Sequence, residues 1–140
     1  VGAYRGEIGY SICEFGWLKK ERKMKFAGIY AIVVGLMMVA QWSFFLITGK
    51  VPELQSEPIR LSFHLAAEFT TALGLLASGL GLLRKAAWAS KGFLIFGGML
   101  LYTVIVSPGY FAQQGQWIFV MMFGPLLVLA LWSMFMMRTA

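Results

Sequence analysis

The feature that most limits what this chain can fold into is the placement of its charges. Between Phe26 and Met137 the charged residues are Lys50, Glu53, Glu57, Arg60, Glu68, Arg84, Lys85 and Lys91, and all but Glu68 fall in two short clusters. Four long apolar stretches remain. A chain of 140 residues is long enough for one soluble domain, but such a domain must cover its apolar surface with polar side chains. Here 59% of residues are hydrophobic and 13% charged, against roughly half and roughly a quarter in ordinary soluble domains. The polar residues are too few, and the expectation is an integral membrane protein.

The apolar stretches place transmembrane spans at about residues 26–48, 61–83, 92–107 and 116–137. Crossing ~30 Å of hydrocarbon takes ~20 helical residues at ~1.5 Å each. In lipid the backbone must satisfy its own hydrogen bonds, which leaves helices or closed barrels. Barrel strands alternate in polarity over about ten residues, whereas these runs are apolar all round. The predicted fold is therefore all-α, a polytopic membrane protein with a four-transmembrane-helix bundle over residues 26–140. Pro52 and Pro58 break the first loop, and Pro108-Gly109 is a turn signal expected to end the third span. No internal repeat is visible.

Residues 1–25 read as a basic, partly amphipathic N-terminal arm. Ile8, Ile12, Phe15, Trp17 and Leu18 are apolar, and Lys19, Lys20, Arg22, Lys23 and Lys25 form a dense basic run. Such a segment is expected to rest on the membrane surface near anionic lipid. Met24-Lys25, followed directly by an apolar run, also reads as an ordinary membrane-protein start, which would make residues 1–23 additional to the native chain. The first apolar stretch is too long for a signal-peptide core and lacks a convincing cleavage site.

Orientation follows from the distribution of Lys and Arg. The arm, the loop at residues 84–91 and the C-terminal tail hold ten of the twelve basic residues, and the other two loops hold only Lys50 and Arg60. Four spans put the three basic regions on one face, so both termini are expected to be cytoplasmic (N-in/C-in), in a prokaryotic inner membrane. The net charge of +6 thus marks topology, and no nucleic-acid partner is expected. The single Cys13 rules out an intrachain disulfide and a thiolate metal cluster.

Helices in lipid gain little by burying apolar surface against each other, so close packing relies on small residues. Ala67, Thr71, Gly74, Ser78 and Gly81 on the second span, Gly28, Ala31 and Gly35 on the first, and Gly97 and Gly98 on the third are expected contact faces. Pro125 is expected to kink the fourth span. Trp42, Trp117 and Tyr110 fall where an outer aromatic belt would lie.

One constellation carries chemistry. Glu68 is the only charge inside any span, and His64 is the only histidine. Spaced i, i+4 on a helix, they share a face, roughly 5 and 10 Å below an outer boundary at Leu61. An ionised carboxylate there costs about 3 kcal/mol on insertion scales, so Glu68 must be paired, protonated or open to water. Thr71 continues the polar stripe inward, and Gln41, Ser43, Tyr102 and Thr103 are candidates to complete a pocket from neighbouring helices. In such a pocket Glu68 would bind a cationic or hydroxyl-bearing ligand or relay a proton with His64. The structural alternative is a buried hydrogen-bonded pair that fixes packing. One His and one Glu supply at most two ligands, too few for a closed zinc site, and two-histidine haem ligation would need a second chain. There is no phosphate-binding glycine loop or nucleophile–base set. No metal, cofactor or catalytic residue is expected.

Two stretches carry a resemblance: Ile47-Thr48-Gly49-Lys50-Val51-Pro52 leading to His64-Leu65-Ala66-Ala67-Glu68, and Leu101-Tyr102-Thr103 leading to Ser107-Pro108-Gly109-Tyr110. Over residues 24–137 the chain resembles small four-helix membrane proteins of bacteria and archaea, loosely DoxX-like, which implies a fold and no activity. The His-x-x-x-Glu spacing is also similar to that of sterol-isomerase-like (EXPERA) membrane domains, and this resemblance implies a proton-transfer role for His64 and Glu68. Three readings follow. The first is a bundle, assembled as a homo-oligomer or in a larger membrane complex, that binds or moves a small or lipid-like ligand through the His64/Glu68 face. The second is a non-catalytic accessory subunit packed through its glycine-rich faces. The third is a membrane isomerase or other proton-transfer enzyme, which needs a second proton carrier, for which Tyr102 is the one candidate. Binding is preferred to catalysis.

Overall fold

The computed structural model describes residues 2–49, 51 and 53–139, with side chains from Phe15 onward. Lys50, Pro52 and the side chains of Ile8, Ile12 and Cys13, which enter the sequence argument, lie outside the described residues. The regular structure of the described residues is all helical: α1 Gly2–Ile47, α2 Glu53–Ser56, α3 Pro58–Leu83, α4 Ala89–Gln113 and α5 Trp117–Arg138. The four long helices are long and apolar enough to cross a membrane, as the charge pattern led one to expect.

Three boundaries differ from the sequence reading. No helix end separates residues 1–25 from the first span, because α1 runs unbroken through the basic run. The first proline of the chain is Pro52, so nothing earlier removes a backbone donor or clashes with the preceding turn. The second long helix starts at Pro58 rather than 61, with proline in the first turn, where its missing N–H costs nothing. The third does not end at Pro108 but continues to Gln113. A single proline removes one ladder bond while keeping a helical φ, and neighbouring helices compensate such losses in apolar bundles. The stop comes at Gly115, whose φ of 71° allows a Schellman turn. Gly115 N–H donates to the Ala112 carbonyl at 3.0 Å and Gln116 N–H to that of Phe111 at 2.9 Å. Helix α5 likewise runs without interruption through Pro125.

The end of α3 uses the same turn with a less suitable residue. Lys85 adopts φ 56°, a left-handed conformation that side chains other than glycine rarely take. Ala86 N–H reaches the Gly81 carbonyl at 2.9 Å and Lys85 N–H that of Leu82 at 3.1 Å. The lysine is held from α1: its Nζ lies 3.1 Å from Glu21 Oε1 and 4.8 Å from the Trp17 ring centroid. Lys25 joins the same carboxylate at 3.2 Å, and Lys23 donates to Thr139 Oγ1 at 2.9 Å. The basic run, the α3–α4 turn and the C-terminal residues therefore meet at one end of the bundle, the basic end.

The helices form a ring in which α1 packs on α3, α3 on α4, α4 on α5, and α5 closes lightly on α1. The Tyr30 hydroxyl reinforces that closure by donating to the Leu126 carbonyl at 3.2 Å. The α1–α3 seam is set by glycine. A Cβ on Gly79 would sit 2.8 Å from the Gly28 carbonyl oxygen, and one on Gly35 would sit 2.9 Å from that of Ala72. Ala31, Leu75, Leu82, Phe93 and Leu100 fill the middle. The buried Ser78 and Ser133 donate to their own helices, at the Gly74 and Leu129 carbonyls. Two expected contact residues lie elsewhere. Gly98 is exposed with no neighbour within 4 Å of its Cβ position, and Ala67 is exposed too. Glycine content alone does not say which side of a helix faces its neighbour; Gly97, one residue from Gly98, is the one packed against Met134.

Candidate functional site

Away from the basic end the ring of helices opens into a cavity of about 610 Å³. Its inner wall is apolar, with Val34 and Met38 from α1, Leu100 and Val104 from α4, and Phe123 and Leu126 from α5. Against this wall stand Gln41 and Trp42 from α1, His64 and Glu68 from α3, and Thr103 from α4. Nearer the loops, α2 contributes Glu53, the end of α4 Gln113, and the α4–α5 connection Gln114 and Gln116. A volume of this order suits a small organic molecule with an apolar body and a few fixed polar contacts.

Glu68 is the buried polar group of this wall. It is 5% exposed, about 15 Å along α3 from Pro58 by helical rise. The i, i+4 relation does put His64 beside it, but His64 Nε2 is 3.8 Å from Glu68 Oε1, beyond hydrogen-bonding distance. The imidazole is turned outward, 44% exposed, and edge-on to Trp42 with ring centroids 5.5 Å apart. Polar groups of two other helices also face the carboxylate: the Thr103 hydroxyl and the Trp42 indole N–H. Glu68 therefore faces a polar group on each of α1, α3 and α4. Taking such a carboxylate out of water costs several kcal/mol unless donors or a cation replace the lost hydration.

Four of the seven candidates from the sequence come together here: Gln41, His64, Glu68 and Thr103. The other three do not line the cavity. Thr71 is buried one turn further along α3, where its hydroxyl donates to the Ala67 carbonyl at 2.8 Å; the polar stripe is satisfied by the helix itself. Tyr102 is 71% exposed on the outer face of α4, since adjacent helical residues point about 100° apart and Thr103 takes the inward direction. Ser43 is half-buried on α1 and is not among the lining residues.

Sequence reasoning assigned Trp42 and Tyr110 to an aromatic belt and gave Glu53 no role. Trp42 had one signal, its place beside Gln41. Glu53 had none, because its position depends on α2 lying across the opening. The Tyr110 hydroxyl faces its carboxylate, and its Oε2 is buried without a partner among the described residues. Arg60, the one cation lining the cavity among the described residues, is held at 2.6 Å by Glu57. Among the described residues no three His, Cys, Asp or Glu side chains converge to hold a metal.

No curated protein and no solved structure matches this chain. A family profile described as a domain of unknown function, DUF8058, matches residues 21–139, which takes in all four long apolar segments and every residue of the cavity. The chain belongs to the DUF8058 family.

Proposed function

We propose that this protein is a four-helix integral membrane protein that binds or moves a small or lipid-like ligand through the cavity at the end opposite its basic end. The basic end lies at the cytoplasmic face of a prokaryotic inner membrane, with both termini inside. The long apolar helices and the gathering of basic residues at one end support the membrane placement and the orientation. One observation carries the functional reading: a carboxylate 5% exposed forms part of the wall of a 610 Å³ cavity. A pair kept only for packing would be closed upon itself, whereas His64 and Glu68 are 3.8 Å apart beside open volume. Intramembrane ionisable groups that face a cavity mark ligand or ion pathways more often than packing contacts. A proton-transfer enzyme would need a second carrier against Glu68, and Tyr102, the candidate for it, faces outward. That favours binding over catalysis.

Native mass spectrometry of the gently solubilised protein, beside a Glu68→Gln variant, tests this. The expected result is a bound small molecule or lipid on the wild type that is lost from the variant. Equal retention by both would overturn the reading. So would a wild type that carries no such molecule and holds other chains at fixed stoichiometry, the behaviour of an accessory subunit.

A further inference from the structure

The polar lining of the cavity is unevenly divided in charge. Hydroxyls and amides such as those of Thr103 and Gln41 can donate or accept and Trp42 donates, whereas Glu68 and Glu53 present carboxylates that accept. Arg60, the one cation of this lining among the described residues, is paired through its Nε with Glu57 at 2.6 Å, and Glu57 is not part of the cavity wall. A carboxylate accepts in about four lone-pair directions, and Trp42 and Thr103 supply two donors at most to Glu68. At the opening, Glu53 Oε2 is a buried acceptor without a described partner. The site has neutral donors but little positive charge to set against its two carboxylates.

Three kinds of ligand head meet this lining differently. An anionic head would face two carboxylates against one cation, Arg60, which already pairs with Glu57. A hydroxyl head would add one hydrogen bond to Glu68 and leave its charge uncompensated. A primary ammonium brings three N–H donors and a full positive charge, which suits the Glu68 carboxylate with the His64 nitrogen and the Thr103 hydroxyl beside it. Met38, Leu100, Val104, Phe123 and Leu126 then offer an apolar surface for the rest of the molecule. We propose that the cavity takes an amphipathic primary amine, its ammonium group seated on Glu68 between His64 and Thr103 and its apolar body against the α4–α5 wall. This inference rests on the ligand-binding reading and narrows it to one chemical class.

The test uses three probes of equal chain length, decylammonium, decanol and decanoate, each added to the solubilised wild-type protein in a zwitterionic detergent. Occupancy is read by native mass spectrometry. A charge-assisted hydrogen bond to a desolvated carboxylate predicts about tenfold or greater preference for decylammonium over decanol, with decanoate excluded. Glu68→Gln should reduce the amine to the level of the alcohol, and Glu68→Asp should keep the preference at lower affinity. Tyr102→Phe, outside the cavity, should change nothing. Because the wild type alone ranks the probes, a Glu68→Gln variant that fails to fold does not blunt the test. Equal binding of amine and alcohol, or preference for decanoate, overturns the amine proposal; if that binding still depends on Glu68, the ligand-site reading stands. If no probe binds, and no endogenous molecule is held by the wild type, both fall.

Discussion

Replacing Gly79 by alanine places a methyl group where the backbone of α1 already lies. The new Cβ would stand 2.8 Å from the Gly28 carbonyl oxygen, 2.9 Å from Ile32 Cγ1 and 3.1 Å from Ala31 Cβ, against ordinary contact from 3.4 Å upward. The nearest obstacle is a helix carbonyl, which has no rotamer to escape into. The helices must part by about half an ångström. A gap of that size forfeits about a quarter to a half of each dispersion contact along the seam, and overpacking of this kind costs about 1–3 kcal/mol. Alanine's better helix propensity offsets little, since separated helices in lipid remain helical and the term largely cancels. The net expectation is a loss of about 1–2 kcal/mol, measured by denaturant titration in mixed micelles or as a drop of a few degrees in Tm. Gly98→Ala is the control: nothing lies within 4 Å of its Cβ position, and its effect should stay within about 0.5 kcal/mol. The Gly28→Ala/Gly79→Ala double variant should cost less than the sum of the singles, because one separation relieves both contacts. Gly79→Ala as stable as wild type, or Gly98→Ala equally damaging, would refute the account of the seam.

Two further predictions concern the basic end, beside the Glu68→Gln and amine-probe tests above. Glu21 lies in the basic run of α1, outside the apolar span. The Lys85 ammonium, and after it that of Lys25, hold its carboxyl below the ordinary value of 4.5. A depressed pKa in the folded state contributes stability above the unfolded value and loses it as pH falls through the lower, folded one. Tm should therefore fall on acidification below about pH 4.5 in the wild type, and Glu21→Gln, lower in Tm at neutral pH, should show a smaller fall; parallel curves would remove the clamp from the account. For orientation, Leu54→Cys and Ala87→Cys in a Cys13→Ser background can be treated with a membrane-impermeant maleimide. Leu54→Cys should label in intact cells and Ala87→Cys only after permeabilisation, and the reverse pattern would invert the proposed topology.

Much of the site was legible from residue type and spacing. A lone carboxylate four residues from a lone histidine, in an otherwise uncharged run, is conspicuous because its burial must be compensated somehow. The helical repeat then fixes that His64 and Glu68 share a face. It does not fix how far apart their polar atoms stand, which depends on the rotamers that the neighbouring helices leave open. Thr103 and Tyr102 were equal candidates until the rotation of α4 was known, and Thr71 was polar for a reason internal to its own helix. Glu53 was invisible, because only the path of a short connection brings it over the cavity.

The sequence by itself determined that four apolar helices form, which ends carry the basic residues, and that Glu68 would be the group with the most to lose by burial. These follow from composition and local periodicity, since hydrocarbon admits few backbone solutions and charge is costly wherever it is not near water. Only the tertiary structure decided that α1 continues through the basic run and that α4 runs past Pro108. It also decided that Gly28 and Gly79 bring two backbones together, and that the helices diverge beyond them to leave a cavity against Glu68. Small residues permit close approach on any face that carries them. Which approach is realised depends on how all four helices pack at once, and no single helix encodes that.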